Sequence, residues 1–392
     1  MRKVAFVQHG DFLEASRRFL NGGEETYYAQ RYSVEHVERL VPQFDGVMVV
    51  CIASGQYKEV LPSGVVCAGI PDVSCNRKAR HELLSLLQDW GATDVIVRWP
   101  SSELISDLLH RRVRVLPLFA DSFPKKGLKS RFRHWRISRI LSNPRITLVA
   151  NHQVPASRDL IRIGVNPDKV VPWDWPSTLT PRDFPVKNGI ARSHKVHVVY
   201  AGLVIETKGV GDVIRAVARL NDTGWDITFS IAGSGTLGVF EKLAKSLAIA
   251  HRVHFLGRIP HHEVVCLMHQ HDVVIVPSWH EYDEGLPMTI QDAFISHTPL
   301  VASNHPMFTP RLEDGRSALL FPARDDAALA RCIARLATDT TLYASLSRES
   351  VPAWESLRLP VLWGELLTRW LSSDSGDHEW LSKHSLTYWP YP

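Results

Sequence analysis

Short apolar runs rich in β-branched residues recur along this chain, and stretches of helical period fill the gaps between them. That alternation constrains the fold more than any other feature. In the first half the runs are Lys3–Gln8, Gly46–Ala53, Gly64–Ile70, Asp94–Trp99, Val113–Asp121, Thr147–Asn151 and Lys169–Trp173. Helical spacing is expected over Ser33–Val41 and His81–Trp90, where Leu83, Leu84 and Leu87 share a face. The pattern restarts with expected strands Lys195–Gly202, Asp226–Gly233, Arg252–Gly257, Asp272–Ser278, Pro299–Ser303 and Ala318–Pro322. Helices are expected after Gly209 and over Asp325–Leu336. Strands alternating with helices imply parallel βαβ units. Between the two halves, Pro172, Pro176, Pro181, Pro185 and Gly189 interrupt every period, as an interdomain linker would.

Composition narrows the class. A length of 392 residues allows two or three domains, and 45% hydrophobic against 22% charged residues excludes a disordered chain. No apolar run approaches the ~18 residues a membrane helix requires. Val4–Val7 ends at Gln8-His9, which is too short for a signal-peptide core. Cys51, Cys67, Cys75, Cys266 and Cys332 are scattered, as expected of free thiols in a reducing cytoplasm. The formal charge of +4 suits an enzyme of anionic small molecules and calls for no nucleic acid.

The chemistry concentrates in residues 281–294, EYDEGLPMTIQDAF, which follow an expected buried strand and open a helix. Pro287 suits a first helical turn, and Gly285 leaves room for close backbone approach. A helix start presents unpaired N–H groups and a positive dipole end, so it can hold a diphosphate. Seven residues separate Glu284 from Asp292, so one acid can meet a sugar while the other accepts from ribose hydroxyls. The same residues also fit a plain capped helix with acids near its start.

This stretch resembles the E-x7-E motif of the family-4 glycosyltransferases, with Asp292 in place of the second glutamate. The resemblance extends through Thr298–Ser303, Glu313–Ala318 and Phe321–Ala323, and back to Gly202, Lys208-Gly209, Gly233-Ser234-Gly235 and Gly22-Gly23. It implies an α/β fold of GT-B type: two Rossmann-like domains facing across a cleft, with a C-terminal helix crossing back to the first domain. On that reading the domains are an acceptor-side unit over 1–176, a hinge over 177–194, a donor-binding unit over 195–350, the crossing helix over 351–372 and a tail over 373–392. The family further implies sugar transfer with retention from a nucleotide-diphosphate sugar, with no metal and no cofactor.

Carried over by position, Glu284 corresponds to the acid that contacts the donor sugar, Asp292 to the acid that holds the ribose, and Lys208 to the lysine that neutralises the diphosphate. Gly202, Arg258, Ile259, Gly285, Leu286 and Pro287 fall where the family binds the donor. Two departures stand out. Leu203 replaces the arginine that the family usually places after the glycine, which leaves Arg258 as a substitute cation. Ala120 stands where relatives often carry a histidine, with Asp121 beside it as a candidate contact for the acceptor hydroxyl. Capping of the following turn is the alternative role for Asp121. Gly22-Gly23 is expected to precede a helix beginning at Glu24-Glu25 and to approach phosphate or acceptor, or to be a plain turn.

Three other patterns in the sequence suggest different chemistry. Gly233–Gly238 spells G-x-G-x-x-G after a strand, but the next strand ends at Gly257-Arg258 without the acid a dinucleotide site needs. His262-Glu263-Val264-Val265-Cys266 misses the zinc pattern H-E-x-x-H, so His251, His254, His261, His262, His269 and His271 are expected in the core or on the surface. From Lys125 to Arg145 eight cations interleave with Leu128, Phe132, Trp135, Ile137 and Ile140, and no acid intervenes. Such a segment fits an anionic membrane surface or a charged acceptor, or is simply a solvated basic face. The expected protein is therefore a cytoplasmic glycosyltransferase of glycan, polysaccharide or glycolipid synthesis, with peripheral membrane contact through 125–145. A GT-B nucleotide-sugar epimerase and a catalytically weakened nucleotide-sugar or glycan binder are the alternatives.

Overall fold

The computed structural model describes residues 2–52, 55–73, 76–124, 127–190 and 195–388. Ala53, Cys75, Lys125, Lys126, the 191–194 part of the expected hinge and the end of the tail lie outside the described residues. The chain divides into two compact units: Met1–Glu25, Ala29–Pro176 and Leu359–Pro392 form the first, and Thr26–Tyr28 with Ser177–Arg358 form the second.

The first unit is built on strands β1 (Lys3–His9), β2 (Gly46–Ile52), β3 (Tyr57–Val60), β4 (Val66–Ile70), β5 (Asp94–Val97), β6 (Arg114–Phe119), β7 (Val149–His152) and β8 (Val170–Trp173). Their order in the sheet is β3-β4-β2-β1-β5-β6-β7-β8. All neighbours pair in parallel except the β3/β4 hairpin. The central strands are apolar at nearly every position because both sheet faces are covered. Val4 and Phe6 enter one core and Ala5 and Val7 the other, the two-residue alternation of a pleated strand. β3 was missed in the sequence because it is an edge strand with exposed alternate residues, Val60 among them.

The second unit repeats the plan with β9 (Lys195–Ala201), β10 (Asp226–Ala232), β11 (Val253–Gly257), β12 (Val273–Val276), β13 (Leu300–Ser303) and β14 (Leu319–Phe321). The order is β11-β10-β9-β12-β13-β14, all parallel. The chain builds outward from β9 through β10 to β11, then returns to place β12 on the other side of β9. This reversal makes the β9/β12 boundary the topological switch point, where ligands of open α/β sheets bind beyond the strand ends.

Three expectations about connections are corrected. Gly22-Gly23 does not open a helix at Glu24. It closes a helix over Phe12–Leu20, with Gly22 N–H donating to Phe19 O and Gly23 N–H to Arg18 O, and the next helix begins at Gln30. The reason is that Asp11 caps the earlier helix by accepting from Glu14 N–H. Pro287 is not in the first turn of its helix. It is the extended residue before it, and the helix runs Met288–Ile295. Residues 177–190 are not a bare linker, since the His297 ring bonds Pro181 O and Lys187 Nζ donates to His271 O and Thr298 Oγ1, all within the second unit. Burial pulls the Lys187 amine down to about 8.

The helix Thr340–Leu357 belongs to the second unit, and from Leu359 on the chain is part of the first. Asp174 N–H donates to Val361 O at 3.0 Å and Trp363 N–H to Asp174 O at 2.9 Å, which lays the returning segment beside the end of β8. The helix Trp363–Leu371 then buries Trp363, Leu366, Leu367 and Trp370 against the core that holds Val4 and Phe6. A last helix, Ser375–Lys383, follows, and Leu386 N–H donates to Val170 O.

His36 packs beside Tyr32 and Trp363 in that core. Burial, aided by the Arg39 charge, lowers its imidazole from 6.5 to about 4. The unfolded chain thus binds a proton that the folded chain refuses, and stability from this site falls as pH drops from 6.5 to about 4. The total loss approaches ~3 kcal/mol as an upper bound. Denaturant titrations at several pH values should show that His36→Phe loses less stability than wild type over this window; equal slopes would contradict the assignment.

Candidate functional site

Two loops meet at the switch point of the second unit. After β9 the chain runs through Gly202, Leu203 and Val204 into a short 3-10 turn, Glu206–Lys208, and then the helix Val210–Asp222. After β12 it runs through residues 277–287 into the helix Met288–Ile295. Trp279 N–H donates to Thr207 O at 2.8 Å, which ties one loop to the other. Thr289 Oγ1 reaches Ala201 O at 3.4 Å, so the motif helix begins against the tip of β9.

Gly209 is what lets the loops close. Its φ is +72°, and a Cβ there would lie 2.1 Å from Pro277 O. The tight approach carries Lys208 onto Glu284. Lys208 Nζ pairs with Glu284 Oε2, with side-chain exposures of only 12% and 9%. Ser278 Oγ donates to the same Oε2 at 2.8 Å, and the Lys208 ammonium lies 4.4 Å from the Tyr282 ring centroid. Glu284 Oε1 takes no donor among the described residues. A buried charge is tolerable only when paired and hydrogen-bonded, and these contacts meet that condition.

Neighbouring groups respond to the pair. Burial pushes the Tyr200 phenol well above its ordinary range, and the Glu284 charge adds to the rise. His305 accepts from Met307 N–H at Nδ1 and bonds Tyr282 O through Nε2. Burial pulls its imidazole below the ordinary value, against the opposing pull of the Tyr282 carbonyl and the Glu284 charge. The ring is accordingly neutral at pH 7.

Asp292 lies inside the motif helix, 4% exposed, with His261 Nε2 on its Oδ1 at 3.1 Å. A Cβ at Gly285 would meet nothing within 4 Å, so space is open before the helix, and Leu286 is buried beneath it. Pro287 caps the helix without a side-chain bond, which leaves amides near its start unclaimed by a cap.

The other sequence candidates make different contacts. Arg258 and Ile259 follow β11, the edge strand, and Arg258 donates only weakly to Ser234 Oγ at 3.4 Å. Leu203, at the position of the missing arginine, is 44% exposed. Gly233 takes part in loop packing: a Cβ there would lie 1.8 Å from Gly202 O, and Val204 N–H donates to Ser234 O. The first part of the G-x-G-x-x-G string therefore serves the contact between two loops, and its last glycine, Gly238, falls in the first turn of the helix Leu237–Ser246. Gly22, Gly23 and Asp121 belong to the first unit. Asp121 lies beyond β6, where its N–H donates to Asn151 Oδ1 at 3.2 Å and its carbonyl accepts from Asn151 Nδ2.

The histidines take separate partners. His269 bonds Ser296 O, and His271 bonds Leu267 O and Ser230 Oγ. Among the described residues no group of three or more His, Cys, Asp or Glu is placed to hold a metal ion. No helix among them is long and apolar enough to cross a membrane. Sequence reasoning overlooked Ser278, Thr289 and His305; each stands at a strand end or helix start beside the switch point, and that position was the available signal.

Residues 183–350 match the family described as Glycosyl transferases group 1. The match takes in under half of the chain and contains the Lys208–Glu284 site. Glycogen synthase of Mycobacterium tuberculosis (strain ATCC 25618 / H37Rv) is 30% identical over 152 residues, 38% of this chain and 35% of that protein. The chain thus spans about a third of the length of the curated relatives it matches first. The D-inositol 3-phosphate glycosyltransferase of Salinispora arenicola aligns over 370 residues at 25% identity, covering 86% of this chain and 80% of that protein. Among solved structures, sucrose-phosphate synthase from Thermosynechococcus elongatus superposes with a TM-score of 0.65 at 15% identity, over 91% of this chain and 95% of that chain. Anabaena Alr3699/HepE in complex with UDP-glucose does so with a TM-score of 0.64 at 12% identity and the same coverage. The fold is GT-B, with two α/β units on parallel sheets.

Gly209→Ala should therefore disrupt the loop contact and lower stability by about 2 kcal/mol or more, since it adds both a clash and positive-φ strain. Calorimetry on the purified variant checks this; an unchanged melting temperature would show that the loops can yield.

Proposed function

We propose that this chain is a glycosyltransferase that moves a sugar from a nucleotide-diphosphate sugar to an acceptor hydroxyl with retention of configuration, as a family-4 member would. The observation that carries the reading is the nearly buried Lys208–Glu284 pair at the β9/β12 switch point, beside the start of the Met288–Ile295 helix. Support also comes from the group 1 match over 183–350 and from neighbours such as HepE, a structure in complex with UDP-glucose.

The chemistry needs positioning and charge stabilisation more than covalent help. As the donor bond breaks, negative charge builds on the departing diphosphate. The Lys208 ammonium and the positive end of the helix dipole meet that charge. Glu284 keeps Oε1 clear of protein donors and can accept from a donor-sugar hydroxyl while Oε2 stays anchored by Ser278. Asp292, held by His261, can accept from the ribose. Its side chain is one methylene shorter than glutamate, and the His261 contact fixes where that shorter carboxylate points. No residue role here calls for a metal or a cofactor. The acceptor is a glycan, lipid-linked or small-molecule hydroxyl.

Lys208→Ala and Glu284→Ala should each reduce kcat by about 100- to 1000-fold, the range for removing one preorganised stabilising group. Turnover on a panel of UDP- and GDP-sugars with mixed acceptors measures it. Wild-type rates in both folded variants would refute the site, and formation of a new sugar nucleotide without acceptor would favour the epimerase reading instead.

A further inference from the structure

The helix Gly127–Leu141 of the first unit buries one face and leaves a second, apolar face in solvent. Ser130, His134, Ile137, Ser138 and Leu141 point into the protein, with Ile137 2% and Leu141 0% exposed. On the opposite side Leu128, Phe132 and Trp135 recur at i, i+4 and i+7 and are 79%, 64% and 57% exposed. The Phe132 and Trp135 rings stack at 5.8 Å with planes 30° apart, which makes them one continuous apolar surface. Single exposed apolar residues need no explanation, but a contiguous stripe of three large ones marks an interaction site.

The charges around the stripe identify its partner. At 100° per residue, Arg139 extends the stripe, Arg131 flanks it on one side, and Lys129 and Arg136 flank it on the other. Arg136 is neutralised by Glu103. Lys129, Arg131, Arg133 and Arg139 make no ion pair among the described residues, and no acid occurs from Pro124 to Arg145. A protein partner of mixed charge would meet this field with some repulsion, and a nucleic acid would leave the aromatic stripe without use in a duplex groove. A planar surface with an apolar interior and anionic headgroups satisfies both features: aromatic rings settle at the interface depth while arginine stems extend their charge to the headgroup layer.

We propose that the Leu128–Phe132–Trp135 face docks this protein onto an anionic lipid bilayer, parallel to the surface. The proposal stands apart from the donor site of the second unit, and its test uses no turnover.

The test is flotation of the full chain with vesicles of phosphatidylcholine alone or with about 30 mol% phosphatidylglycerol, enough to give a negative surface potential. Wild type should float with the anionic vesicles, stay behind with neutral ones, and be released as salt rises to about 1 M, where screening acts within ~3 Å. Phe132→Ser with Trp135→Ser, and separately Arg131→Glu with Arg133→Glu, should each weaken vesicle binding at least about tenfold with unchanged melting temperatures, because these side chains are exposed. Three results would overturn the proposal. Wild type could fail to float with anionic vesicles, or the aromatic double variant could float like wild type, which would reduce the helix to a general polyanion binder. A wild-type dimer that the aromatic variant converts to monomer would instead assign the face to a second copy of this chain.

Discussion

The parallel adjacency of β9 and β12 is the constraint on which the second unit's chemistry depends. Because the chain builds outward from β9 and then reverses, the loops after these two strands emerge side by side. Gly209, without a Cβ, allows one loop to press against the carbonyl of Pro277 in the other. The contact leaves an ammonium and a carboxylate nearly out of water, and burial forces them together: either charge alone there would cost far more than the pair. Ser278 and the Tyr282 ring complete the enclosure. On the proposed function, these parts are preorganised before any ligand arrives, as electrostatic stabilisation of a leaving group requires.

The first unit is likewise built on a largely parallel sheet. Its returning segment, Leu359 onward, buries Trp363 and Trp370 in the core that holds β1, so residues far apart in sequence complete one hydrophobic layer. That cost of long-range closure is offset by large aromatic area, which explains the tryptophans near the chain's end. The same unit leaves one helix face apolar and basic toward solvent, an expense that folding alone does not justify.

Much of this was legible in the sequence, and the failures have physical causes. Parallel strands buried on both faces announce themselves as unbroken apolar runs, so each of the thirteen expected runs overlaps a strand while the half-exposed edge strand Tyr57–Val60 went unseen. The E-x7-E spacing pointed to Glu284, but its partnership with Lys208, 76 residues away, follows from sheet order and was supplied by family likeness. Gly22-Gly23 was misread because a glycine pair looks alike at either end of a helix; Asp11 and Glu14 were the overlooked start signal of the helix it closes. The basic helix concealed its nature differently. Its packed face is mostly Ser and His while its solvent face is apolar, so the period gives no inward direction and only burial separates the two.

The central claim is that a nucleotide diphosphate is held where the β9 and β12 loops converge. A crystal structure of the chain soaked with UDP or GDP tests it most directly. The account predicts diphosphate oxygens within hydrogen-bond reach of Lys208 Nζ and of amides near Met288 and Thr289, with ribose hydroxyls at Asp292. A nucleotide bound elsewhere, with the Lys208–Glu284 pair undisturbed, would contradict it.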